Sequence, residues 1–556
     1  MSQTIKDVLN RAANESGGRV ALRFKRNGVW NTYSYQELKT RARQVSEICA
    51  SAGVTPGDRV ALYRENSPEW FEIYFGIVCM GAIAVPVDVK LREQEVGHIF
   101  HDCGVRAVFI SARNVSVLEE LKESLPRLGC AVLLDAPDHP GPVSDGLDVF
   151  SYDVLRDKLA DLKAYDQHNP RPSDPASLIY TSGTTGRQKG AVLTHHNFVS
   201  NAKSCQKAID IHQTDNFLLV LPLHHAFAFT TSLLIPALVQ CEVSLVETLK
   251  TIKTDMQDTS PTIMLAVPLL LEKMLARILD NIQKKTVARF LYKAGLAKLI
   301  GRKVHRELGG ALRLIVSGGA PIDPDTLQAW NKLGFSIVEG YGITETAPVL
   351  SLNPPEKPRI GTVGLPLPDV EIKIMDPGPD GSGEIVIKGP NVMQSYYNNP
   401  EATAECLHDG WFYSGDLGYF DTSGYLVING RKKSMIVNRE GKNIYPEEVE
   451  QQIHKSPAIL ECLVMGYREP GETAGERVGL IAVPDQEFFD AMEISEGRRL
   501  SEKEIEETVR TEVKRLSQAI SEYKRPRCVQ IRFEEFEKTT TAKIKRYLYA
   551  INTTSL

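Results

Sequence analysis

The stretch that says most about the fold and the chemistry is LIYTSGTTGRQKGAVLTHHN, residues 178–197. An apolar strand runs into a loop of Ser, Thr and Gly residues that also carries Lys189. Glycine lets a backbone approach an anion closely, and hydroxyl and N–H groups donate to phosphate oxygens. An ordinary polar hairpin loop is the alternative. The concentration of hydroxyl and glycine residues beside a lysine favours a phosphate-binding loop, and its spacing is not that of a Walker A loop.

Around this loop, short apolar runs alternate with helical patterns through the first two thirds of the chain. The pattern predicts a helix over 69–80, and it predicts strands over 59–63, 82–87, 216–221, 243–246, 262–267, 312–316 and 335–338. Strands separated by helices are typical of α/β layers with largely parallel sheets. We therefore expect layered α/β subdomains.

The pattern changes near residue 370, where short strands punctuated by Gly and Pro indicate a small antiparallel barrel or sheet. A second boundary falls near Arg431, and the strands and long charged helix beyond it suit a small α+β domain. The strands and helix predicted in these two regions cover 370–374, 383–389, 424–430, 459–466, 478–483, 501–520 and 528–533. We expect a large N-terminal domain over 1–430, a hinge at 431–433 and a small mobile C-terminal domain over 434–556.

Composition narrows the function. The 556 residues include 65 Lys and Arg against 70 Asp and Glu, so the chain lacks the basic excess of a nucleic-acid-binding protein. A hydrophobic fraction of 42% excludes disorder as the general state. Nine scattered cysteines contain no CxxC pair, which predicts free thiols in a reducing compartment. The apolar run 73–87 is too short to span a bilayer. We expect a cytoplasmic protein whose membrane contact is at most peripheral.

Taken together, seven motifs in order resemble those of the adenylate-forming superfamily, which contains acyl-CoA synthetases, luciferases and peptide-synthetase adenylation domains. The loop at 178–197 resembles its signature loop. The other motifs resemble the aromatic gate (221–229), the adenine and magnesium segments (317–321 and 339–346), the ribose motif (413–420), the hinge segment (430–450) and the C-terminal lysine loop (538–546). The resemblance covers nearly the whole chain, and it implies the fold outlined above.

The resemblance also implies a role for each motif residue. The predicted phosphate-binding residues are Thr181, Ser182, Gly183, Thr184, Thr185, Gly186 and Lys189, with Thr184 and Glu345 positioning Mg²⁺. The predicted residues around adenine, ribose and the α-phosphate are Gly319, Ala320, Pro321, Glu339, Gly340, Tyr341, Gly342, Thr344, Asp416 and Arg431. The catalytic lysine is Lys543, the gate is His225, the hinge is Lys433, and Gly441 and Lys442 line the CoA channel.

This residue set suits the reaction, because a carboxylate attacking the α-phosphorus of ATP needs cations and fixed donors more than acid–base groups. Taken alone, Asp416 would be a turn cap and Glu345 a helix N-terminal acid. Within the ordered motif set the functional roles are favoured. His195 and His196, on a probable helix after the loop, are predicted to be packing or surface residues.

Some positions depart from the family pattern. Glu537 precedes Lys538, Ala542 precedes Lys543, and Val437 stands where some relatives have lysine. A luciferase-type oxidative function is therefore not carried over. The motif wording is most similar to bacterial fatty-acid-activating enzymes, which predicts activation of a medium- or long-chain fatty acid and transfer to CoA. An acyl-carrier protein is the alternative acceptor. A nucleotide-binding pseudoenzyme is disfavoured, because the charged motif residues are intact.

The segment 281–306 is a separate feature, because it holds eight Lys and Arg residues and no acid. Apolar residues are interleaved with the basic ones. A basic amphipathic helix can lie on an anionic membrane, where a fatty acid would be dissolved. A solvated helix packed on the domain is the plainer interpretation, and it is the one we favour from sequence alone.

Overall fold

The computed structural model describes residues 3–136, 147–159, 161–182, 187–469, 474–539 and 543–552. Of the predicted site residues, Gly183, Thr184, Thr185 and Gly186 lie outside the described residues, as does the side chain of Ser182. The chain forms a large N-terminal α/β domain and a small C-terminal α+β domain, as the sequence predicts.

The N-terminal domain carries most of the secondary structure. Its strands are β1 (Val20–Arg26), β2 (Val29–Ser34), β3 (Arg59–Tyr63), β4 (Ile83–Pro86), β5 (Ala107–Ser111), β6 (Cys130–Leu134), β7 (Asp148–Ser151), β8 (Pro175–Ser182), β9 (Gln188–Thr194), β10 (Asn216–Leu219), β11 (Glu242–Leu245), β12 (Ile263–Ala266), β13 (Leu314–Ser317), β14 (Ile337–Gly342), β15 (Val349–Leu352), β16 (Leu365–Pro366), β17 (Glu371–Met375), β18 (Gly383–Lys388), β19 (Ser395–Tyr396), β20 (Leu407–His408), β21 (Trp411–Phe420) and β22 (Leu426–Arg431). Its helices are α1 (Ile5–Ser16), α2 (Tyr35–Ser51), α3 (Pro68–Cys79), α4 (Glu93–Cys103), α5 (Ser116–Leu121), α6 (Tyr152–Lys158), α7 (Ala164–Gln167), α8 (His195–Ala208), α9 (Ala226–Phe229), α10 (Ile235–Val239), α11 (Ile252–Thr259), α12 (Pro268–Lys284), α13 (Thr286–Lys293), α14 (Ala297–Glu307), α15 (Pro324–Leu333) and α16 (Pro400–Cys406).

The C-terminal domain is smaller and alternates in the same way. Its elements are β23 (Ile436–Val437), β24 (Asn443–Ile444), α17 (Pro446–Ile453), β25 (Ile459–Tyr467), β26 (Arg477–Pro484), α18 (Gln486–Glu496), α19 (Glu502–Ser517) and β27 (Cys528–Ile531). The sequence predicts the long helix here. It begins after Ser501, whose side chain and that of Glu504 cap each other's backbone N–H groups.

Two mostly parallel sheets form the layers of the N-terminal domain. One has the strand order β19-β9-β8-β4-β3-β5-β6-β7, and the other has the order β16-β15-β14-β13-β12-β10-β11-β1-β2. Antiparallel pairing occurs only toward the ends of each sheet among the described residues. The predicted parallel strands are confirmed, and each begins or ends within about three residues of its expected limits.

A buried helix lies in the core. The helix α3 buries nearly every side chain, and Trp70 stacks on Tyr74 with ring centroids 5.3 Å apart, while Phe229 approaches Tyr74 to 4.3 Å. A helix that is apolar on all sides belongs inside a protein core. This is the apolar run that is too short to span a bilayer. Within the described ranges, no helix combines the length and apolar character that a membrane crossing requires.

The region that the sequence predicts as a small antiparallel barrel or sheet pairs as β17-β18-β21-β20, with β22 beside β21. The C-terminal domain is built on β25-β26-β27, with a short hairpin of β23 and β24 following the connection. All nine cysteines are unpaired in the described part of the chain, and all but Cys406 are buried, as expected for free thiols.

Ion pairs join the two domains away from the connection. Arg92 lies 3.6 Å from Glu537, Lys545 lies 3.9 Å from Glu95, and Lys455 lies 4.0 Å from Asp325. The first two pairs bring the segment around Lys543 over the N-terminus of α4. The C-terminal domain therefore closes over the N-terminal domain in this structure.

Candidate active site

The predicted phosphate loop connects β8 and β9, which are antiparallel, with Thr181 opposite Lys189. The strands β8 and β9 thus form a hairpin, as the plainer alternative supposed. Their position is not ordinary, because β8 is also parallel to β4, so the carboxyl end of β8 lies at the carboxyl edge of the parallel strands. Ligands of open α/β sheets bind at that edge.

A carboxylate lies beside the hairpin. The hydroxyl of Thr181 donates to Glu345 Oε1 over 3.4 Å, and the hydroxyl of Tyr396 donates to the same oxygen over 2.7 Å. The ammonium of Lys189 lies 5.3 Å from the centre of the Tyr396 ring. Burial and the nearby Glu345 carboxylate raise the pKa of Tyr396, so its hydroxyl stays a donor. Carboxylate and hydroxyl oxygens are ligands that Mg²⁺ prefers, so this donor set fits the predicted ion.

The ribose motif supplies an ion pair. Asp416 on β21 lies opposite Arg431 on β22, and Arg431 Nε lies 2.7 Å from Asp416 Oδ1. The hydroxyl of Tyr341 donates to Asp416 Oδ2 over 2.5 Å. Asp416 is 5% exposed, so its carboxylate is held by two donors in a desolvated position. Burial and the Asp416 charge raise the pKa of Tyr341, which keeps that hydroxyl a donor.

Segments of neighbouring strands complete the nucleotide side. Gly319, Ala320 and Pro321 follow β13 and are exposed, while Glu339 to Gly342 end the adjacent parallel strand β14. Gly319 has φ +85°, a conformation that L side chains rarely adopt. Burial raises the pKa of Glu339 to about 7, opposed by a hydrogen bond from the backbone of Ile322. Thr344 opens the short turn that carries Glu345.

The C-terminal lysine reaches this cleft. The side chain of Lys543 lies where the two domains meet, with part of its surface open to solvent and part covered by protein, and Arg431, Asp416 and Glu345 are close enough to act on its charge. Desolvation by the surrounding protein and the charge of Arg431 lower the pKa of Lys543. The structure thus brings together Lys543, Arg431 and the two acids predicted to bind ribose and Mg²⁺, Asp416 and Glu345.

The lysine loop is anchored just beyond Lys543. Thr539 N donates to the Lys543 carbonyl over 2.7 Å, so these two residues lie side by side. Three residues further on, Arg546 donates to Glu450 Oε2 over 2.5 Å and to the Val464 carbonyl over 3.0 Å. Burial raises the pKa of Glu450 to about 7, with the Arg546 charge opposing it. Glu450 therefore anchors the chain at Arg546, three residues after Lys543.

The gate region contains an acid that sequence reasoning missed. His225 precedes α9, and its Nε2 lies 3.1 Å from Nε2 of His224, which lies 3.2 Å from Asp88 Oδ2. Burial and the neighbouring His224 lower the pKa of His225 to about 3, so its imidazole is neutral at physiological pH. The three ligand atoms lie within 4.8 Å of one another. Asp88 fixes His224, and His224 in turn fixes the gate.

Apolar side chains border the gate. A side chain added at Gly318 would meet the ring of Phe227 at 3.0 Å, and one added at Gly319 would lie 3.8 Å from Val267. Phe227, Val267 and Ile343 are half-buried. A π-helical turn at Thr230–Leu234 continues α9 into α10, and such turns are frequent at functional sites.

The predicted hinge and CoA-channel residues are not part of this cluster. Lys433 is exposed in a short helical turn that follows β22. Gly441 has φ +73° with open space around it, and Lys442 lies 2.7 Å from Glu440 and 4.8 Å from the Tyr523 ring centre. These contacts are within the C-terminal domain.

The remaining histidines fit their predicted structural roles. His195 is fully buried and its Nδ1 accepts from the backbone N–H of Ile5 over 3.2 Å, while His196 is half-buried. Burial lowers the pKa of His195 to about 4. Sequence reasoning missed Tyr396 and Asp88, because both are distant in sequence from the residues that they contact in the site. The phrase SYYNNP at 395–400, rich in tyrosine, was the available signal for Tyr396.

Comparison with known proteins agrees with this geometry. Residues 9–397 match the AMP-binding enzyme family, and residues 448–543 match the AMP-binding enzyme C-terminal domain. The chain is 29% identical over 567 residues to a long-chain-fatty-acid–CoA ligase, FadD15, of Mycobacterium bovis, covering 94% of this chain and 91% of that protein. It is 31% identical over 448 residues to a feruloyl-CoA synthase of Amycolatopsis, covering 79% and 81%.

A solved structure shares the fold. The o-succinylbenzoate coenzyme A synthetase MenE of Bacillus subtilis, in complex with ATP and magnesium ion, superposes with a TM-score of 0.76 at 24% identity, covering 97% of this chain and 98% of that one. The chain belongs to the AMP-binding enzyme family. Its activity is that of an adenylate-forming acyl-CoA ligase.

Proposed function

We propose that this enzyme activates a medium- or long-chain fatty acid with ATP and Mg²⁺, and then transfers the acyl group to CoA. The observation that carries the proposal is the convergence of Lys543 with Arg431, Asp416 and Glu345 in one cleft. These charges come from both domains, and their joint position suits charge stabilisation at a reacting phosphate. A non-catalytic nucleotide-binding protein does not need these charges from both domains at one phosphate.

In the first step, a carboxylate oxygen attacks the α-phosphorus of ATP, and the bond to pyrophosphate breaks. Lys543 attracts both the carboxylate and the α-phosphate, which lowers the cost of bringing two anions together. An opposite charge about 4 Å away is worth roughly 4 kcal/mol at an effective dielectric near 20. Mg²⁺ bound by Glu345 and a loop hydroxyl would neutralise charge on the phosphates. Asp416 would accept from the ribose hydroxyls, and Lys189 would hold the outer phosphates.

The apolar wall supports an acid with an apolar body. Phe227 and Val267 lie beside Gly318 and Gly319 next to the gate, and burial of apolar area there favours an alkyl chain. The name of the Mycobacterium relative agrees with this class. The feruloyl-CoA synthase makes an aromatic acid the competing substrate, because the same wall would accept a ring.

In the second step, the CoA thiol attacks the adenylate carbonyl, and AMP leaves. We place His225 at the opening between the acyl and CoA channels, where a neutral imidazole admits the acyl adenylate without adding charge. Lys433 is the position at which the C-terminal domain would turn, and Gly441 and Lys442 would then face the channel. An acyl-carrier protein remains the alternative acceptor.

Acid-dependent exchange of pyrophosphate into ATP tests the first step. Saturated fatty acids of increasing length, ferulate, indoleacetate and amino acids form the panel, and exchange should be fastest with fatty acids. Preference for ferulate or indoleacetate would refute the fatty acid class. ATP binding without exchange for any acid would indicate a pseudoenzyme. Thioester formation with CoA and with a phosphopantetheinylated carrier protein, compared at equal concentration, decides the acceptor.

A further inference from the structure

The basic segment 281–306 has no role in the active site described above. It does not form one helix, since the chain breaks at Lys285, which has extended backbone, and at Gly295, which has φ +78°. The end of α12, all of α13 and most of α14 share it. The break divides the segment into short helices that pack on the domain by one side only.

The inner side of α13 is anchored to the domain, and the outer side is not covered. Ala288 and Tyr292 pack against the core formed around α12 and α15. Val287 is 73% exposed and Phe290 is 69% exposed, and residues three apart lie on the same face of a helix. Leu296 and Leu299 at the start of α14 are 46% and 48% exposed. Among the described residues, α13 buries no side chain completely.

Uncompensated positive charge surrounds these apolar side chains. Over the part of the chain that the structure describes, neither Arg289 nor Lys293 has an acidic partner within ion-pair distance, although both lie on α13. Lys284, at the edge, is paired with Asp280. Exposed aromatic and aliphatic groups interleaved with unpaired cations are disfavoured in water, and they are the combination that an anionic bilayer stabilises at its headgroup level.

We propose that this patch, defined as Val287, Phe290, Leu296 and Leu299 with Arg289 and Lys293, binds the surface of an anionic lipid bilayer. The apolar side chains would enter the headgroup region, and the two cations would contact lipid phosphates. The proposal deepens the proposed function and rests on it for its purpose, because a fatty acid substrate partitions into bilayers.

The position of α12 links the patch to the acyl side of the active site. This helix starts after Val267, which lies beside Gly319, and it ends at Lys284, next to the patch. Its 17 residues span about 25 Å at 1.5 Å per residue. A bilayer held at the patch would therefore lie within about one lipid leaflet of the gate region, close enough for an acid leaving the bilayer to reach it.

Sedimentation of the full-length protein with vesicles tests the proposal. Vesicles of phosphatidylcholine with phosphatidylserine are compared with vesicles of phosphatidylcholine alone, at low and at high ionic strength. Binding should require the anionic lipid and should be lost at high salt, since charges separated by more than about one Debye length are screened. R289Q/K293Q should weaken binding about 30-fold, at about fivefold for each cation near the surface. V287E/F290E should abolish it.

Ile494→Glu is the matched control, because Ile494 is 83% exposed on α18 among acidic residues. It introduces the same side chain on an exposed helix and should bind as the wild type does. Wild-type binding to anionic vesicles that does not exceed binding to neutral ones, or an equal loss in I494E, would overturn the proposal. So would a dimer in solution that V287E/F290E dissociates, because the patch would then bind a second copy.

Vesicle binding is measured without any enzymatic turnover. The proposed membrane surface and the proposed fatty acid substrate can therefore be refuted independently of each other. Pyrophosphate exchange with a short soluble acid should be unchanged in V287E/F290E, whereas exchange with a long-chain acid supplied in vesicles should fall. Equal long-chain exchange in the variant and the wild type would refute delivery from the bilayer. Vesicle binding by a protein that exchanges only with ferulate would refute the fatty acid class and leave the surface intact.

Discussion

Replacement of Lys543 by alanine should separate the two half-reactions. The ammonium group of Lys543 lies in the cleft with Arg431 and Asp416, where it would be needed as charge develops on the α-phosphate. Thiol attack on a finished adenylate creates no new charge on that phosphate, so the proposed role does not require Lys543 there. Lys543→Ala should therefore abolish most adenylate formation and leave thioester formation from supplied acyl-adenylate largely intact.

The size of the effect follows from the environment of the lysine. The side chain contacts solvent within the cleft, so an effective dielectric near 20 is appropriate, and one opposite charge about 4 Å away is worth about 4 kcal/mol. At about 1.4 kcal/mol per tenfold, this corresponds to a loss of about 10³ in rate. Loss of one preorganised donor in other enzymes costs about 10²–10³, which agrees with the estimate.

Two assays read the outcome: pyrophosphate exchange for the first half-reaction, and AMP release from synthetic acyl-adenylate with CoA for the second. Lys545→Ala is the control, because it removes the same charge from the same segment. Lys545 lies 3.9 Å from Glu95, a surface pair worth at most about 1 kcal/mol, so its loss should cost no more than about fivefold. Equal losses in both half-reactions of Lys543→Ala would refute the assigned role.

Three further predictions use other parts of the site. Lys433→Pro should keep pyrophosphate exchange and lose thioester formation, because proline fixes φ near −65° at the turn. A bulky residue at Gly441 should show the same selective defect. Wild-type thioester rates in both variants, with normal thermal melts, would disprove rotation at this position. Asp416→Asn should raise the KM for ATP about 10–100-fold with kcat nearly unchanged, because the proposed hydrogen bonds from the ribose hydroxyls would no longer be charge-assisted, and such bonds are worth about 1.5–3 kcal/mol. An unchanged KM would contradict ribose binding. His225 has its pKa lowered from 6.5 to about 3, so between these values the unfolded chain binds a proton that the native protein does not, and the native state loses up to ~5 kcal/mol as the pH falls through this range. His225→Gln should remove part of that loss, which thermal melts from pH 7 to pH 4 would show, and identical slopes would mean that the fold does not lower the pKa of this imidazole.

Local patterns carried most of the fold prediction. Strands such as β3, β12 and β13 are short apolar runs with turns on either side, and their limits follow from hydrophobicity alone. The strands β1 and β2 were not predicted, although they pair beside β11 in the second sheet. Nothing in the first 34 residues indicates that they join a sheet more than two hundred positions away, because such pairing depends on the packing of the whole domain.

The site divides in the same way. Residues inside motifs lie near one another in the fold: Tyr341 and Arg431 contact Asp416, and Lys543 lies close to Asp416 and Arg431, while their roles stay predictions. Tyr396 reaches Glu345 because β19 pairs with β9, more than two hundred residues earlier in the chain. A local sequence motif does not predict which distant strands pair. Asp88 contacts His224 for a similar reason, since they follow strands of two different sheets that come together only in the folded domain.

The ion pairs that join the two domains have an energetic consequence. Arg92 with Glu537, and Lys545 with Glu95, are long and partly solvated, and pairs of this kind contribute about 0–1 kcal/mol each. Their loss would make the closed arrangement only slightly less favourable than alternatives. The free energies of the alternative domain arrangements then differ little, and the free energy of nucleotide or CoA binding is large enough to determine which arrangement is populated. In such an enzyme the ligand bound in the cleft, rather than contacts within the polypeptide, determines the arrangement of the two domains at each stage of turnover.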